Sequence, residues 1–92
     1  MTHSKMTTDH ETIKEWVEAR EGRPSIVRTE GPGGILRIDF GTPDDDLEEI
    51  NWTEFFEVFE DNNLKFLYQE HLEDGRLSRF NKFIDREHDP AD

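Results

Sequence analysis

The chain lacks cysteine altogether and has no long apolar run. The absence of thiols excludes disulfides, thiolate zinc sites, iron–sulfur clusters and a cysteine nucleophile. The apolar runs are far shorter than a membrane-spanning helix requires, and the opening residues MTHSKMTTDH contain no apolar segment of the kind found in signal peptides. We therefore expect a cytoplasmic protein that does not enter a membrane.

Positive charge is also scarce, because 11 Lys and Arg residues face 23 Asp and Glu residues and leave a net charge of −12. A chain this acidic repels nucleic-acid phosphates and anionic lipid, so we expect neither nucleic acid nor a membrane surface as a partner. Acid excess with little lysine is also typical of proteins from salt-accumulating, halophilic cells. In such cells a carboxylate surface keeps the protein hydrated.

Apolar residues make up only 32% of the chain and charged residues 37%, a balance that by itself favours disorder. The aromatic residues, at 11%, oppose this because they recur at regular spacings and can build a small core. A length of 92 residues allows one domain. We expect that domain to span residues 7–85, with flexible termini at residues 1–6 and 86–92.

The first periodic segment is TTDHETIKEWVEAREGRP. Thr8 with Glu11 three residues later has the spacing of a capping box. The apolar stripe has helical spacing and consists of Ile13, Trp16 and Val17. Gly22 is suited to a left-handed residue that closes the helix, and Pro24 prevents its continuation. The pattern predicts a helix from about Asp9 to Glu21.

Two short runs, SIVRT and ILRIDF, follow this helix and are separated by the glycine-rich EGPGG. Both are rich in β-branched residues, so they predict a β-hairpin. In the second run, alternation places three residues on the inner face: Leu36, Ile38 and Phe40. In the first run we expect Val27 to point inward, with Ile26 and Arg28 pointing away.

The segment GTPDDDLEEINWTEFFEVFED joins an acidic loop to a second helix. Asn51 with Glu54 again has capping-box spacing and predicts a helix over Trp52–Asp61. Its apolar stripe consists of Trp52, Phe55, Phe56 and Phe59. The acids opposite this stripe favour a solvated helix face, with a docking surface for a basic partner as the alternative. The loop DDDLEE lacks the central Gly of a calcium-binding loop and predicts no metal site.

The last part of the chain contains the runs LKFLYQEHL and LSRFNKFID, joined by the strong turn signal Asp74-Gly75. The first run alternates and predicts a strand. The second also fits one helical turn, but the preceding turn favours a strand over residues 77–84. The order is then α-β-β-α-β-β, an α+β fold with a four-stranded, mostly antiparallel sheet and two helices packed on one face.

Catalytic patterns are missing from the sequence. No two of the four histidines have the i, i+4 spacing of a helical zinc pair. The run GPGG lacks the Lys-Ser/Thr pair and the following helix of a phosphate-binding loop, so we interpret it as a hairpin loop. We therefore assign no catalytic, cofactor-binding or metal-binding residue. We expect a non-enzymatic binding or interaction module.

One candidate interaction surface lies on the sheet face expected to carry no helix. It comprises Arg28, Arg37, Leu67, Ile26 and Ile35. A basic and aliphatic patch on an acidic chain suits an acidic peptide, a second copy of the protein or a polyanion. Cross-strand pairing of the arginines with acids such as Asp39 is the alternative. We expect an unidentified protein partner and a monomer or weak homodimer. An acidic decoy that captures a basic partner is a further alternative.

Four stretches resemble a family of small uncharacterised prokaryotic proteins: TTDHETIKEWVEAREGRPSIVRT, GILRIDF, LEEINWTEFFEVFEDNNLKFLYQE and DGRLSRFNKF. The resemblance covers about residues 7 to 84. The chain departs from the family pattern at Glu21, where the family has Gly, and at Asn51, where the family has Ser. Members often carry the transferred label "alpha-glucan branching enzyme". The resemblance implies a fold and no established site, and its label implies an alternative role as an accessory to alpha-glucan metabolism or as a small enzyme.

Overall fold

The computed structural model describes residues 4–28 and 34–87. Within these ranges the chain is an α+β protein with two helices and two three-stranded antiparallel sheets. The helices are α1 (His10–Ala19) and α2 (Trp52–Asp61). The strands are β1 (Ser4–Thr7), β2 (Gly22–Val27), β3 (Ile35–Phe40), β4 (Glu48–Glu49), β5 (Leu64–Gln69) and β6 (Asn81–Asp85). Most of the predicted glycine-rich loop, and residues 1–3 and 88–92 of the predicted termini, lie outside the described residues.

The strands form two sheets, in the orders β1-β5-β6 and β3-β2-β4. The predicted single four-stranded sheet is therefore not found; the six predicted elements occur in their predicted sequence, and β1 and β4 are additional strands. Two short polar strands make the difference, because β1 pairs with β5 and β4 pairs with β2. Neither SKMT nor Glu48–Glu49 shows an apolar alternation that could reveal a strand. Residues 4–6, expected in a flexible terminus, belong to β1, which pairs along the edge of β5.

Helix α1 begins one residue later than its capping box predicts. The N-cap is Asp9, whose Oδ2 accepts hydrogen bonds from the Thr12 backbone N at 2.9 Å and from Thr12 Oγ1 at 2.6 Å. These bonds favour the ionised carboxylate and lower the pKa of Asp9. Thr7 Oγ1 in turn accepts from the Asp9 backbone N at 3.0 Å. Asp9 succeeds over Thr8 because a carboxylate satisfies the free N–H groups and also complements the positive end of the helix dipole.

The end of α1 also differs from its prediction. The left-handed conformation occurs at Glu21, with φ of 56°, and Gly22 already belongs to β2. Gly22 is required there for space: a Cβ at this position would lie 2.9 Å from Ile38 Cγ2 and 3.0 Å from Val17 Cγ1. The glycine thus allows the helix and the hairpin to approach closely, and the strained backbone position is taken by its neighbour.

The inward and outward faces of β2 are the reverse of the prediction. Ile26 pairs opposite Leu36 and is fully buried, whereas Val27 pairs opposite Ile35 and is only half-buried. Ile26 and Val27 are adjacent β-branched residues, so the sequence pattern does not show which of them points inward. The register with β3 decides it, because residues opposite each other in an antiparallel pair share one face.

The core forms where rings from both helices meet the inner faces of both sheets. Trp16 of α1 packs edge-on against Phe66 of β5, with the ring centroids 5.3 Å apart. Phe55 of α2 packs against Phe83 of β6 at 5.7 Å. The predicted span of α2 is confirmed, and Asn51 Oδ1 caps it by accepting from the Glu54 backbone N at 2.7 Å. The fully buried rings are Phe55, Phe59 and Phe66.

The strand assignment after the Asp74-Gly75 turn is confirmed, but β6 begins later than residue 77. Gly75 has φ of 91°, as its turn position requires. Only an isolated bridge pairs His71 with Leu77, and continuous pairing starts at Asn81. Consequently Phe83 faces the core opposite Phe66, while Phe80 stays exposed.

A buried arginine links α1 to the segment before β6. Arg20 is buried, and its guanidinium donates to four backbone oxygens, those of Ser78, Glu70 (2.7 Å), Trp16 (2.9 Å) and Gln69 (3.5 Å). The guanidinium carbon also lies 4.2 Å from the centroid of the Trp16 ring. Residues 69–78 have little regular structure, and this one side chain holds the segment to the C-terminal end of α1.

Candidate functional site

An open groove of about 590 Å³ runs along the N-terminal part of α1 and one side of α2. Its floor is aromatic and is formed by His10, Trp52 and Phe56. Its rim carries the carboxylates Glu11, Glu57, Glu60 and Asp61, with Lys14 and Thr53 between them. The groove therefore combines half-exposed ring faces with an excess of negative charge.

The floor exists because the aromatic stripe of α2 is wider than its partners can cover. Phe55 and Phe59 are fully buried, whereas Trp52 and Phe56 are half-buried at the edge of the stripe. The rings of Trp52 and Phe56 stack with centroids 5.4 Å apart and planes inclined by 21°. The His10 ring lies on the Phe56 ring at 4.0 Å, with an angle of 3° between the planes. The three rings therefore form one stack, in which Phe56 contacts both His10 and Trp52.

One rim carboxylate holds the histidine in this position. His10 Nε2 lies 2.7 Å from Glu60 Oε2, and Arg86 Nη2 donates to the same oxygen at 2.8 Å. The bond with His10, followed by the bond with Arg86, favours the ionised carboxylate and lowers the pKa of Glu60. Arg86 also donates to the Leu64 carbonyl, which anchors the network to β5. Glu60 therefore fixes the orientation of the His10 ring.

The other rim carboxylates are free to bind. Glu11, Glu57 and Asp61 are exposed and form no ion pair within the described ranges. Lys14 is the one base on the rim and is also without an ion pair among the residues described. Their charges are therefore available to a ligand that enters the groove.

The predicted surface of Arg28, Arg37, Leu67, Ile26 and Ile35 is not assembled as one patch. Ile26 belongs to the core, which corrects its placement on the outer face. Arg28 is paired, at 2.8 Å with Glu48 and 3.2 Å with Glu54. These contacts, with the Glu48 hydrogen bond first, raise the pKa of Arg28.

The remaining members of that surface lie on different sheets. Arg37 and Ile35 are exposed on β3, whereas Leu67 lies half-buried on β5 of the other sheet. These residues are separated because β3 and β5, which we expected in one sheet, belong to two different sheets. The alternative of pairing with Asp39 holds for a different arginine, because Arg23 Nη2 lies 3.4 Å from Asp39 Oδ2.

The acidic loop before α2 is held to the sheet. Asp39 is buried and accepts a hydrogen bond from the Asp44 backbone N at 3.1 Å, and Asp44 Oδ1 accepts one from the Asp46 backbone N at 2.9 Å. In the part of the chain that the structure describes, no three His, Asp or Glu side chains form a group that could hold a metal ion. The loop side chains thus organise local backbone.

The groove was not apparent from the sequence. The spacing of the α2 stripe predicts core residues, and the acids opposite it predict a solvated face. The available signal was the number of large rings on one short helix, more than a single helix–sheet contact buries. His10 could not be included, because it lies far from α2 in the chain and only the packing of α1 brings it to Phe56.

Comparisons of this chain with protein families, characterised proteins and solved structures found no match. The resemblance to the small prokaryotic family therefore stays a prediction. In residues 4–28 and 34–87, neither helix has the length and apolarity needed to cross a membrane. The groove between α1 and α2 is accordingly interpreted from its own geometry and charge.

Proposed function

We propose that the protein is a non-enzymatic binding module whose α1–α2 groove takes a cationic side chain, Arg or Lys, of a basic partner protein. The observation that carries this proposal is the combination of half-buried aromatic rings with unpaired carboxylates in one groove. A cation over an aromatic face is attracted by the ring quadrupole, and a guanidinium can also stack on the ring. The unpaired carboxylates would then bind the N–H groups of the cation.

The expected affinity is modest and depends on salt. A cation on an exposed ring contributes about 0.5–1 kcal/mol, and an exposed ion pair contributes about 0.2–1 kcal/mol. Because each contact contributes little, a partner segment needs several cations to bind measurably. The rim has carboxylates on both helices that could contact them. Such contacts are screened at high ionic strength. The proposal thus develops the alternative of an acidic protein that captures a basic partner.

Binding is favoured over catalysis by the arrangement of the one His–carboxylate pair in the groove. Glu60 binds His10 and Arg86 through the same oxygen, and the His10 ring lies flat on Phe56. In this geometry Nε2 of the imidazole is already engaged by Glu60, whereas a general base must point a ring nitrogen at the proton it removes. A cytoplasmic location and a monomer or weak homodimer belong to the same proposal.

A carbohydrate-binding role is the second candidate. The nearly parallel rings of Trp52 and Phe56 offer a platform on which a sugar ring could also stack, and carboxylates beside it could accept hydroxyl hydrogen bonds. The label carried by the resembling family points to alpha-glucans. The two candidate ligands differ in charge. The binding of a neutral sugar should depend on the aromatic rings more than on the charges of the carboxylates.

The test is an NMR titration with a short capped peptide that alternates Arg with Gly. We expect shifts at the Trp52 indole and at backbone amides around the groove. In the variant Glu57→Gln with Asp61→Asn, affinity should fall about threefold to tenfold, the size of two exposed charge contacts. The matched control, Glu18→Gln with Glu73→Gln, changes the net charge equally at exposed residues outside the groove and should bind like the unmodified protein.

A peptide with citrulline in place of Arg keeps the shape and removes the charge, so it should not bind. Equal binding of the citrulline peptide, or an equal loss in both double variants, would overturn the cation proposal. Maltooligosaccharide is titrated in parallel. Sugar binding that survives Glu57→Gln with Asp61→Asn but is lost in Trp52→Ala would favour the carbohydrate role instead.

A further inference from the structure

A second cleft lies where the two sheets approach each other. Strand β3 is an edge of one sheet and β6 is an edge of the other, and the two strands do not pair. The space between them forms a cleft of about 470 Å³ lined by Arg37, Ile38, Asn81, Lys82 and Phe83. A smaller hollow of about 220 Å³ shares Arg37 and Phe83 with it and continues along β3. The two hollows together are called the β3–β6 cleft.

The charge of this cleft is opposite to that of the protein as a whole. Arg37 and Lys82 are exposed and have no carboxylate within 4.0 Å in the described part of the chain. Arg79, at the same end of the sheets, lies 5.3 Å from the Phe40 ring and is likewise without an ion pair among the described residues. Asp85 lines the smaller hollow, beyond ion-pair distance of Arg37.

Elsewhere the arginines are neutralised by nearby acids. Arg23, Arg28, Arg76 and Arg86 each pair with at least one carboxylate. A net charge of −12 makes a nearby carboxylate the common environment of a base in this chain. Arg37 and Lys82, two bases without a carboxylate partner that line the same cleft, therefore create a local positive potential, which attracts a negatively charged ligand and repels cations.

The cleft also has the backbone and apolar features of a strand-binding site. An unpaired strand edge presents N–H and C=O groups that can pair with an added strand. Ile35 is 46% exposed on the outer face of β3, and Phe83 lies half-buried between the hollows. Main-chain pairing gives affinity in such complexes, and pockets for alternate side chains give specificity.

From these observations we propose that the β3–β6 cleft binds an extended acidic peptide segment of a partner protein. Its backbone pairs with the free edge of β3, and its carboxylates contact Arg37 and Lys82. A peptide fits better than a small anion because the open edge and the apolar side chains extend beyond the two cations. The site is separate from the α1–α2 groove and takes a ligand of opposite charge.

The experiment uses a short capped peptide that alternates Glu with Val. We expect amide shifts along β3 and β6, together with slower hydrogen exchange of β3 amides in the complex. The variant Arg37→Gln with Lys82→Gln should bind about threefold to tenfold more weakly, as for two exposed charge pairs. The control variant Lys5→Gln with Arg76→Gln removes two exposed cations elsewhere and should keep the affinity.

Three results would overturn the proposal: no slowing of β3 exchange at saturating peptide, equal weakening in both double variants, or undiminished binding of a peptide with Gln in place of Glu. Polyphosphate that displaces the peptide while leaving β3 exchange unchanged would assign the cleft to phosphate polymers instead. A concentration-dependent dimer that protects the same amides would assign it to a second copy of the chain. Thermal unfolding of each variant confirms that these exposed substitutions leave the fold intact.

Discussion

The α1–α2 groove and the β3–β6 cleft lie on opposite contacts of one core ring, Phe55, and differ in charge. Phe56 in the groove and Phe83 in the cleft both contact Phe55, with centroids 5.2 Å and 5.7 Å away. Around Phe56 the side chains are mostly carboxylates, whereas beside Phe83 they include Arg37 and Lys82. The small core leaves ring surface exposed on two sides. In our two proposals, the charges beside each ring select the ligand.

If the groove has a binding role, its half-buried rings should contribute less to stability than the fully buried rings of the core. We expect Phe55→Ala to cost about 3–5 kcal/mol, because the ring is fully buried. Phe56→Ala should cost about 1–2 kcal/mol, because part of the ring is already in water. Glu57→Ala on the rim should stay within about 0.5 kcal/mol. Chemical denaturation measures all three, and equal losses at Phe55 and Phe56 would make the groove floor a purely structural feature.

A second contrast concerns two arginines. Arg20 is buried and donates to four backbone carbonyls, so Arg20→Met should destabilise the fold by about 2–4 kcal/mol. Arg37 is exposed, and Arg37→Met should change stability by no more than about 0.5 kcal/mol. Unfolding free energies measured in urea test this. A large cost at Arg37 would show that its charge serves the fold and would weaken the case for a binding cleft.

Salt should act in opposite directions on folding and on binding. Screening of the excess negative charge should stabilise the fold by about 1 kcal/mol in molar KCl, or roughly 4–8 °C in the thermal midpoint of so small a domain. The same screening should lower the affinity of the cationic peptide for the groove and of the acidic peptide for the cleft. Calorimetry across a KCl series tests both effects. A thermal midpoint that does not change, or that falls, would contradict the predicted acid-adapted surface.

The smallest expected effect is the pH dependence due to Glu60. Its pKa is lowered in the folded state by His10 and Arg86, so its stabilising contribution is complete above the ordinary carboxylate pKa. That contribution is lost as the pH falls through the lowered pKa. The urea concentration at the unfolding midpoint should therefore be higher for the unmodified protein than for Glu60→Gln near neutral pH. In acid the two midpoints should become equal. A difference that is constant across the pH series would show that the lowered pKa contributes nothing.

The sequence by itself determined the local elements. Capping residues and helical spacing predicted both helices, and α2 is found at its predicted bounds because Asn51, its stripe and the following asparagines all act within one segment. Alternation correctly separated Leu36 and Ile38 from Arg37 in β3. These features depend on neighbours within a few residues, so a single segment contains the information that fixes them.

Tertiary structure alone decided the division into two sheets, the face of Ile26, the α1–α2 groove and the β3–β6 cleft. Strands β1 and β4 are polar, and they pair because other strands offer open edges beside them. Ile26 turns inward because it lies opposite Leu36. His10 meets Phe56, and Arg37 comes close to Lys82, across long separations in sequence. Such contacts arise from the packing of whole elements, which no local pattern encodes.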